Sequence, residues 1–183
     1  MKKCGLCILL CVIALSSCSY SSMTALMEPT LPASPHNDEE MVIAEALRRA
    51  VVDEKDIQGY QMLRDKATVV LESEFQTNRG PQSLTSGALP HTDKVRFVLL
   101  SHRQLDRLAQ LRGELSWLSV ERVDLAGDTA TIQLGVNSNR KMSEGSTWLE
   151  VGWGMGQSEG YILSYRKEDG AWHFVKVLGL WNT

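Results

Sequence analysis

Four histidines, scattered serines and a few acidic pairs are the residues of this 183-residue chain that could do chemistry. Metal binding needs ligands at helical or loop spacing. His36, His91, His102 and His173 stand far apart, with no i, i+4 pair and no His-Glu-x-x-His. Cys4 and Cys7 have the spacing of a redox or metal pair, but all four cysteines (Cys4, Cys7, Cys11, Cys18) crowd into the first 18 residues. A nucleophilic serine would be expected as Gly-x-Ser-x-Gly. The nearest approach, Gly145-Ser146 after Met142-Ser143-Glu144, lacks the second glycine. Glu121 with Asp124, and Glu144 with Glu150, lie near strand ends and could face one another as an acid and a base. Acidic residues are common on solvated strand faces, and that is the default reading of both pairs. Gly152-Trp153-Gly154-Met155-Gly156 lacks the spacing and following helix of a dinucleotide fingerprint, and a phosphate loop would end in Gly-Lys-Ser/Thr. It reads as a wide hairpin loop whose glycines allow close backbone approach. No cofactor and no metal is called for.

Aromatic residues are the stronger lead. Trp117, Trp148, Trp153, Trp172 and Trp181, with Tyr161, Tyr165 and Phe174, all fall in the C-terminal half. Alternation along 147–153 places Leu149, Val151 and Trp153 on one face and Trp148 and Glu150 on the other. On the last strand Trp172, Phe174, Leu178 and Leu180 oppose His173, Val175, Val177 and Trp181. Both faces carry apolar bulk, and only one can cover helices. Trp148, Trp153, His173 and Trp181 are therefore the candidate binding face. Basic side chains form no stripe among these aromatics, which argues against nucleic acid.

The elements that must position them begin after a distinct N-terminus. Lys2 and Lys3 precede an apolar stretch from Gly5 to Leu15, followed by small residues, which is the layout of a secretory signal. That stretch is shorter than the roughly 20 residues of a membrane span. Leu15-Ser16-Ser17-Cys18 resembles the lipobox of bacterial lipoproteins. The resemblance implies cleavage before Cys18, a diacylglyceryl thioether on its sulfur, and anchorage by acyl chains. Ser19, in place of an aspartate, leans towards an outer-membrane, periplasm-facing location in a Gram-negative envelope. Loss of Lys2 and Lys3 would leave 17 basic against 22 acidic side chains, a net charge of −5. That balance favours solubility and gives no global attraction to anionic partners.

The expected organisation is a signal peptide at 1–17, a flexible tether at 18–37 carrying Pro29, Pro32 and Pro35, and a single α+β domain at 38–183. A helix is predicted from about Asp38, capped by Asp38, with Met41, Ile43, Leu47, Ala50 and Val51 as its apolar face. Gly59 interrupts any helix continuing to Leu63. Strands are predicted over 67–75 and 95–100, with 78–93 a long loop between them. Ser101-x-x-Gln104 has capping-box spacing before a helix that carries Leu105, Leu108, Ala109 and Leu111 and ends at Gly113. Strands follow over 115–125, 129–136, 147–153, 161–166 and 171–181, with turns at 126–128 and 167–170. The sum is an antiparallel sheet of four to six strands packed on two or three helices. Its order, and the closing Asp169-Gly170-x-Trp172 hairpin, are similar to exported domains of the nuclear-transport-factor-2-like and cystatin-like superfamilies from Leu115 onwards. The sequence supports a lipid-anchored, non-enzymatic binding or scaffold domain, with an envelope protein as partner. The alternative is a small-ligand or hydrolytic pocket with Glu121, Arg122 and His173 reaching a floor of tryptophans.

Overall fold

The computed structural model of the chain describes residues 23–53, 67–113, 115–139 and 157–182. Helix α1 spans Asp38–Leu47. Its cap is Asn37, not Asp38. The Asn37 side chain accepts from the Glu40 N–H at 2.8 Å, which leaves Asp38, Glu39 and Glu40 in the electropositive first turn. Val42, Ile43, Ala46 and Leu47 are buried, and a π-helical turn, Arg48–Val52, prolongs the helix and buries Ala50 and Val51. The Asp53 N–H donating to the Arg48 carbonyl at 2.9 Å closes that wider turn.

Eight strands build one sheet: β1 (Thr68–Glu72), β2 (Glu74–Thr77), β3 (Gly80–Ser83), β4 (Arg96–Leu100), β5 (Ser116–Ala126), β6 (Thr129–Ser138), β7 (Gln157–Glu168) and β8 (Ala171–Asn182). The class is α+β, but the sheet is larger than four to six strands and is mixed rather than antiparallel. β1 runs parallel to β4 and β5, and β2 runs parallel to β5, while β5 to β8 form an antiparallel meander. Parallel neighbours need a long crossover. Helix α2 (His102–Arg112) supplies one between β4 and β5. β1 and β2 are nearly one strand, broken at Ser73, whose N–H donates to the Leu100 carbonyl. The expected loop at 78–93 contains β3 and a short 3-10 turn, Ser86–Ala88. Pro81 is tolerated in β3 because the strand lies at the sheet edge, where its missing N–H costs no ladder bond.

Two cores result. Helix α1 covers the inner sheet face, enclosing Val69, Leu71, Phe97, Leu118, Ile132, Leu134, Leu163 and Tyr165. On the other face of β1 and β4, Val70, Val98 and Leu100 meet Leu105 and Leu108 of α2. Burial on both faces explains why these two strands read as unbroken apolar runs. The capping box of α2 is complete: Ser101 and Gln104 satisfy each other's backbone N–H. Asp169 and Gly170, at φ +50° and +81°, close the β7–β8 hairpin as its two-residue turn.

Residues 23–37 are not a free tether. Met23, Leu26 and Met27 pack on the α2 core. Beyond them the Thr30 N–H donates to the Phe97 carbonyl at 2.8 Å, and Ala33 N–H to the Ser86 carbonyl at 3.0 Å. His36 N–H donates to Glu40 Oε2 at 2.6 Å. Each donor directly follows a proline, at positions 29, 32 and 35. The spacing of three is one turn of a polyproline II helix, which brings every third N–H to the same side. Thr30 Oγ1 also accepts from the Leu99 N–H at 3.2 Å, so this strap covers the edge of β4. Cys18, Trp148 and Trp153 lie outside the described residues, as do Gly59, the expected strand at 147–153, Gly145-Ser146, Glu144, Glu150 and the glycines at 152–156.

Candidate functional site

Strand register places Ser119, Gly135, Gly160 and Trp181 in one row across β5, β6, β7 and β8. The row lies on the outer face, because its neighbours Leu118, Val120, Leu134 and Val136 fill the α1 core. With no side chain at two successive positions, the Trp181 indole lies down across the sheet. A Cβ on Gly135 would stand 3.1 Å from its ring carbons and 2.8 Å from Ser119 Oγ. One on Gly160 would overlap both the ring and the Leu134 carbonyl. Polar groups line the far end of the row. Ser119 Oγ donates to Glu121 Oε1 at 2.5 Å, Asn137 Nδ2 donates to Ser119 Oγ at 2.7 Å, and Ser158 Oγ donates to Asn137 Oδ1 at 2.6 Å. Glu121 is the extra residue of a bulge in β5, since the pairing steps from Val120 to Arg122 there.

A serine beside a carboxylate has the look of an activated nucleophile. Ser119, however, is 2% exposed, and its proton is committed to Glu121. The chain of bonds instead pins the strands that hold the indole.

β8 is the second element of the site. Among the described residues it pairs with β7 alone and forms one end of the sheet. The pairing skips Val175 and Leu178, so two bulges interrupt it. Val177 and Leu180 are therefore the residues opposite the core-facing Leu163 and Tyr161. Val175, Val177, Leu178 and Leu180 are 47%, 42%, 49% and 70% exposed, which concentrates large aliphatic surface on one edge. Unprotected apolar edges of this length are uncommon in isolated proteins.

Of the residues chosen from sequence, His173 and Trp181 share the outer face, yet they oppose Arg166 and Gly160, six residues apart on β7. At ~3.3 Å per residue that is roughly 20 Å, too far for one small ligand. His173 is exposed and Trp181 half-buried, its Nε1 enclosed without an acceptor among the described residues. Among the described residues Glu121, Arg122 and His173 of the alternative pocket do not converge. Arg122 Nε is held by Asp124 Oδ2 at 2.6 Å, Glu121 by Ser119, and His173 stands near the hairpin. Sequence reasoning passed over Ser119, Asn137, Ser158 and the two glycines, which only four-strand register brings together.

Other polar groups lie elsewhere. His102 Nδ1 meets Glu72 Oε1 at 3.1 Å, and Trp117 Nε1 donates to Glu72 Oε2 at 3.2 Å. The hydrogen bond with Glu72 outweighs burial and holds the His102 imidazole above its ordinary pKa. Under α1, Arg49 stacks 3.6 Å from the Phe174 ring centre, and the Tyr165 hydroxyl and Trp172 Nε1 are buried without acceptors among the described residues. Burial, then Glu45, raises the Tyr165 pKa. A cleft of about 150 Å³ beside Asn37, Glu40, Phe75 and Thr85 has Glu40 in its wall, already accepting from His36 and Thr85. Among the described residues no three metal-ligating side chains stand within reach of one ion. No family model, curated protein or solved structure matches the chain.

Proposed function

We propose that this is a lipid-anchored cell-envelope protein, held through Cys18, whose domain is a non-enzymatic binding module for another envelope protein. The open β8 edge carries the reading. Four large aliphatic side chains sit on the one edge strand that nothing among the described residues covers, while the opposite edge is sealed by the strap at β4 and by Pro81 in β3. The bulges at Val175 and Leu178 break the ladder, so recognition rests on side-chain packing and not on a long added strand.

A photo-crosslinking residue at position 180 of the intact lipoprotein tests this in cells, with position 128 in the β5–β6 turn as control. A discrete protein adduct at 180 and none at 128 is the expected result. No adduct at 180, with the probe incorporated and the protein folded, overturns the assignment. Leu180→Lys should abolish capture and leave the melting temperature within ~2 °C, because a side chain so exposed contributes little to folding.

A further inference from the structure

We propose that the solvent face of α2 lies against an anionic lipid surface, beside the point where the chain leaves for Cys18. The inference rests on the lipid-anchor reading and adds an orientation to it. Charge is the first argument. Helix α2 carries Arg103, Arg107 and Arg112 against the single acid Asp106, three minus one, or +2. The chain from Cys18 onwards totals −5, so the rest of it stands at −7. The helix is a locally positive element in an acidic chain. Leu105 and Leu108 face the core, which turns Arg103 to the centre of the opposite side of the helix with Arg107 and Asp106 on its two flanks, and Leu111, next to Arg107, is 40% exposed. His102, at the start of the helix, is biased towards its charged form by Glu72.

Chain length is the second argument. Met23 packs in the same cluster as Leu105, Leu108 and Ala109. Only four residues separate Met23 from Cys18, a reach of at most about 17 Å over the five Cα–Cα steps when fully extended. An acylated Cys18 therefore holds this side of the molecule within a short distance of the headgroups, where attraction falls off over a Debye length of ~10 Å. Acyl chains and basic residues reinforce one another in this arrangement. Because α2 and the strap sit at the β4 side, the β8 edge at the far end of the sheet stays clear for a protein.

The test uses the mature lipoprotein, reconstituted through its own acyl chains into vesicles of phosphatidylcholine alone or with phosphatidylglycerol. An environment-sensitive fluorophore on Leu111→Cys reports contact, and flotation together with the mass of Cys18 reports anchorage. The expected result is a blue shift with phosphatidylglycerol, reversed by high salt and absent with phosphatidylcholine alone. The Arg103→Glu, Arg107→Glu double variant should lose the shift yet float as before. Unchanged emission on acylated protein that floats with phosphatidylglycerol vesicles overturns the docking face and spares the anchor. A shift that appears only when envelope proteins are added also overturns it, in favour of an acidic protein. Missing acyl mass with no flotation sinks both.

Discussion

Gly160→Ala tests the outer-face row most directly. Gly160 has no positive φ, so any cost comes from space and not from backbone conformation. The new methyl would sit under 3.0 Å from the Leu134 carbonyl and from the Trp181 ring. Forcing a methyl into a filled site costs ~1–3 kcal/mol. Displacing the half-buried indole adds about 2 kcal/mol, half of what truncating a fully buried Trp costs. The lower entropy of the unfolded chain returns ~0.4–1 kcal/mol. The net is about 3 kcal/mol, or a fall of ~6–12 °C in melting temperature for a domain of this size. Thermal melts followed by near-UV circular dichroism would read both the stability and the freed indole. Trp181→Ala alone should cost about 2 kcal/mol. The double variant should melt below Trp181→Ala, because the Leu134 carbonyl still blocks the methyl. Gly179→Ala is the control: its methyl would stand 3.7 Å from Ile162 Cδ1, an ordinary contact. If Gly160→Ala melts no lower than Gly179→Ala, the indole does not lie in the glycine row and the reasoning fails.

Two further outcomes concern titrating groups. Burial pushes the Glu40 carboxyl up, but the bonds from the Thr85 hydroxyl and the His36 N–H outweigh it and hold Glu40 below its ordinary 4.5. A depressed carboxylate stabilises the fold above its unfolded pKa and loses that contribution as pH falls through the folded value. The stability gap between wild type and Glu40→Gln should therefore be full at neutral pH and close in acid below 4.5; urea melts showing a constant gap would refute the role given to Glu40. His102 is the opposite case, raised above 6.5 by Glu72, so its contribution is present below that value and disappears as pH climbs through the folded pKa. Glu72→Gln should lower the His102 midpoint seen in imidazole proton NMR, and an unmoved midpoint would show that the pair does not form.

Local signals were legible where the physics is local. The Ser101–Gln104 box and the Asp169-Gly170 turn are fixed by residues a few positions apart, and both form as read. The strap shows the converse. A stretch rich in Ser, Thr and Pro without a sustained apolar period reads as a tether. Its order comes from Phe97, Ser86 and Glu40, far along the chain. Parallel pairing of β1 with β4 was hidden for a similar reason: an apolar run announces burial on both faces without naming its neighbour. Strict alternation grouped Leu178 with Trp172, whereas two bulges put Val177 opposite the core-facing Leu163 instead. The glycine row needed the register of three strand pairs at once, which no single segment encodes. Of the candidate face, Trp181 and His173 were correctly placed on one side, but the distance between them was not readable from sequence.

The strap has a consequence for how many neighbours the molecule can have. With Thr30 laid over β4 and a proline in β3, one margin of the sheet offers no run of free main-chain groups. Among the described residues β8 is the margin left open. A sheet with both margins free can add copies of itself without end, whereas one with a single free margin stops after the first addition. Among the described residues the sheet has one open margin, so a partner or a second copy that packed on the β8 side chains would complete the complex instead of extending it, with the strap as a chain terminator carried within the same polypeptide.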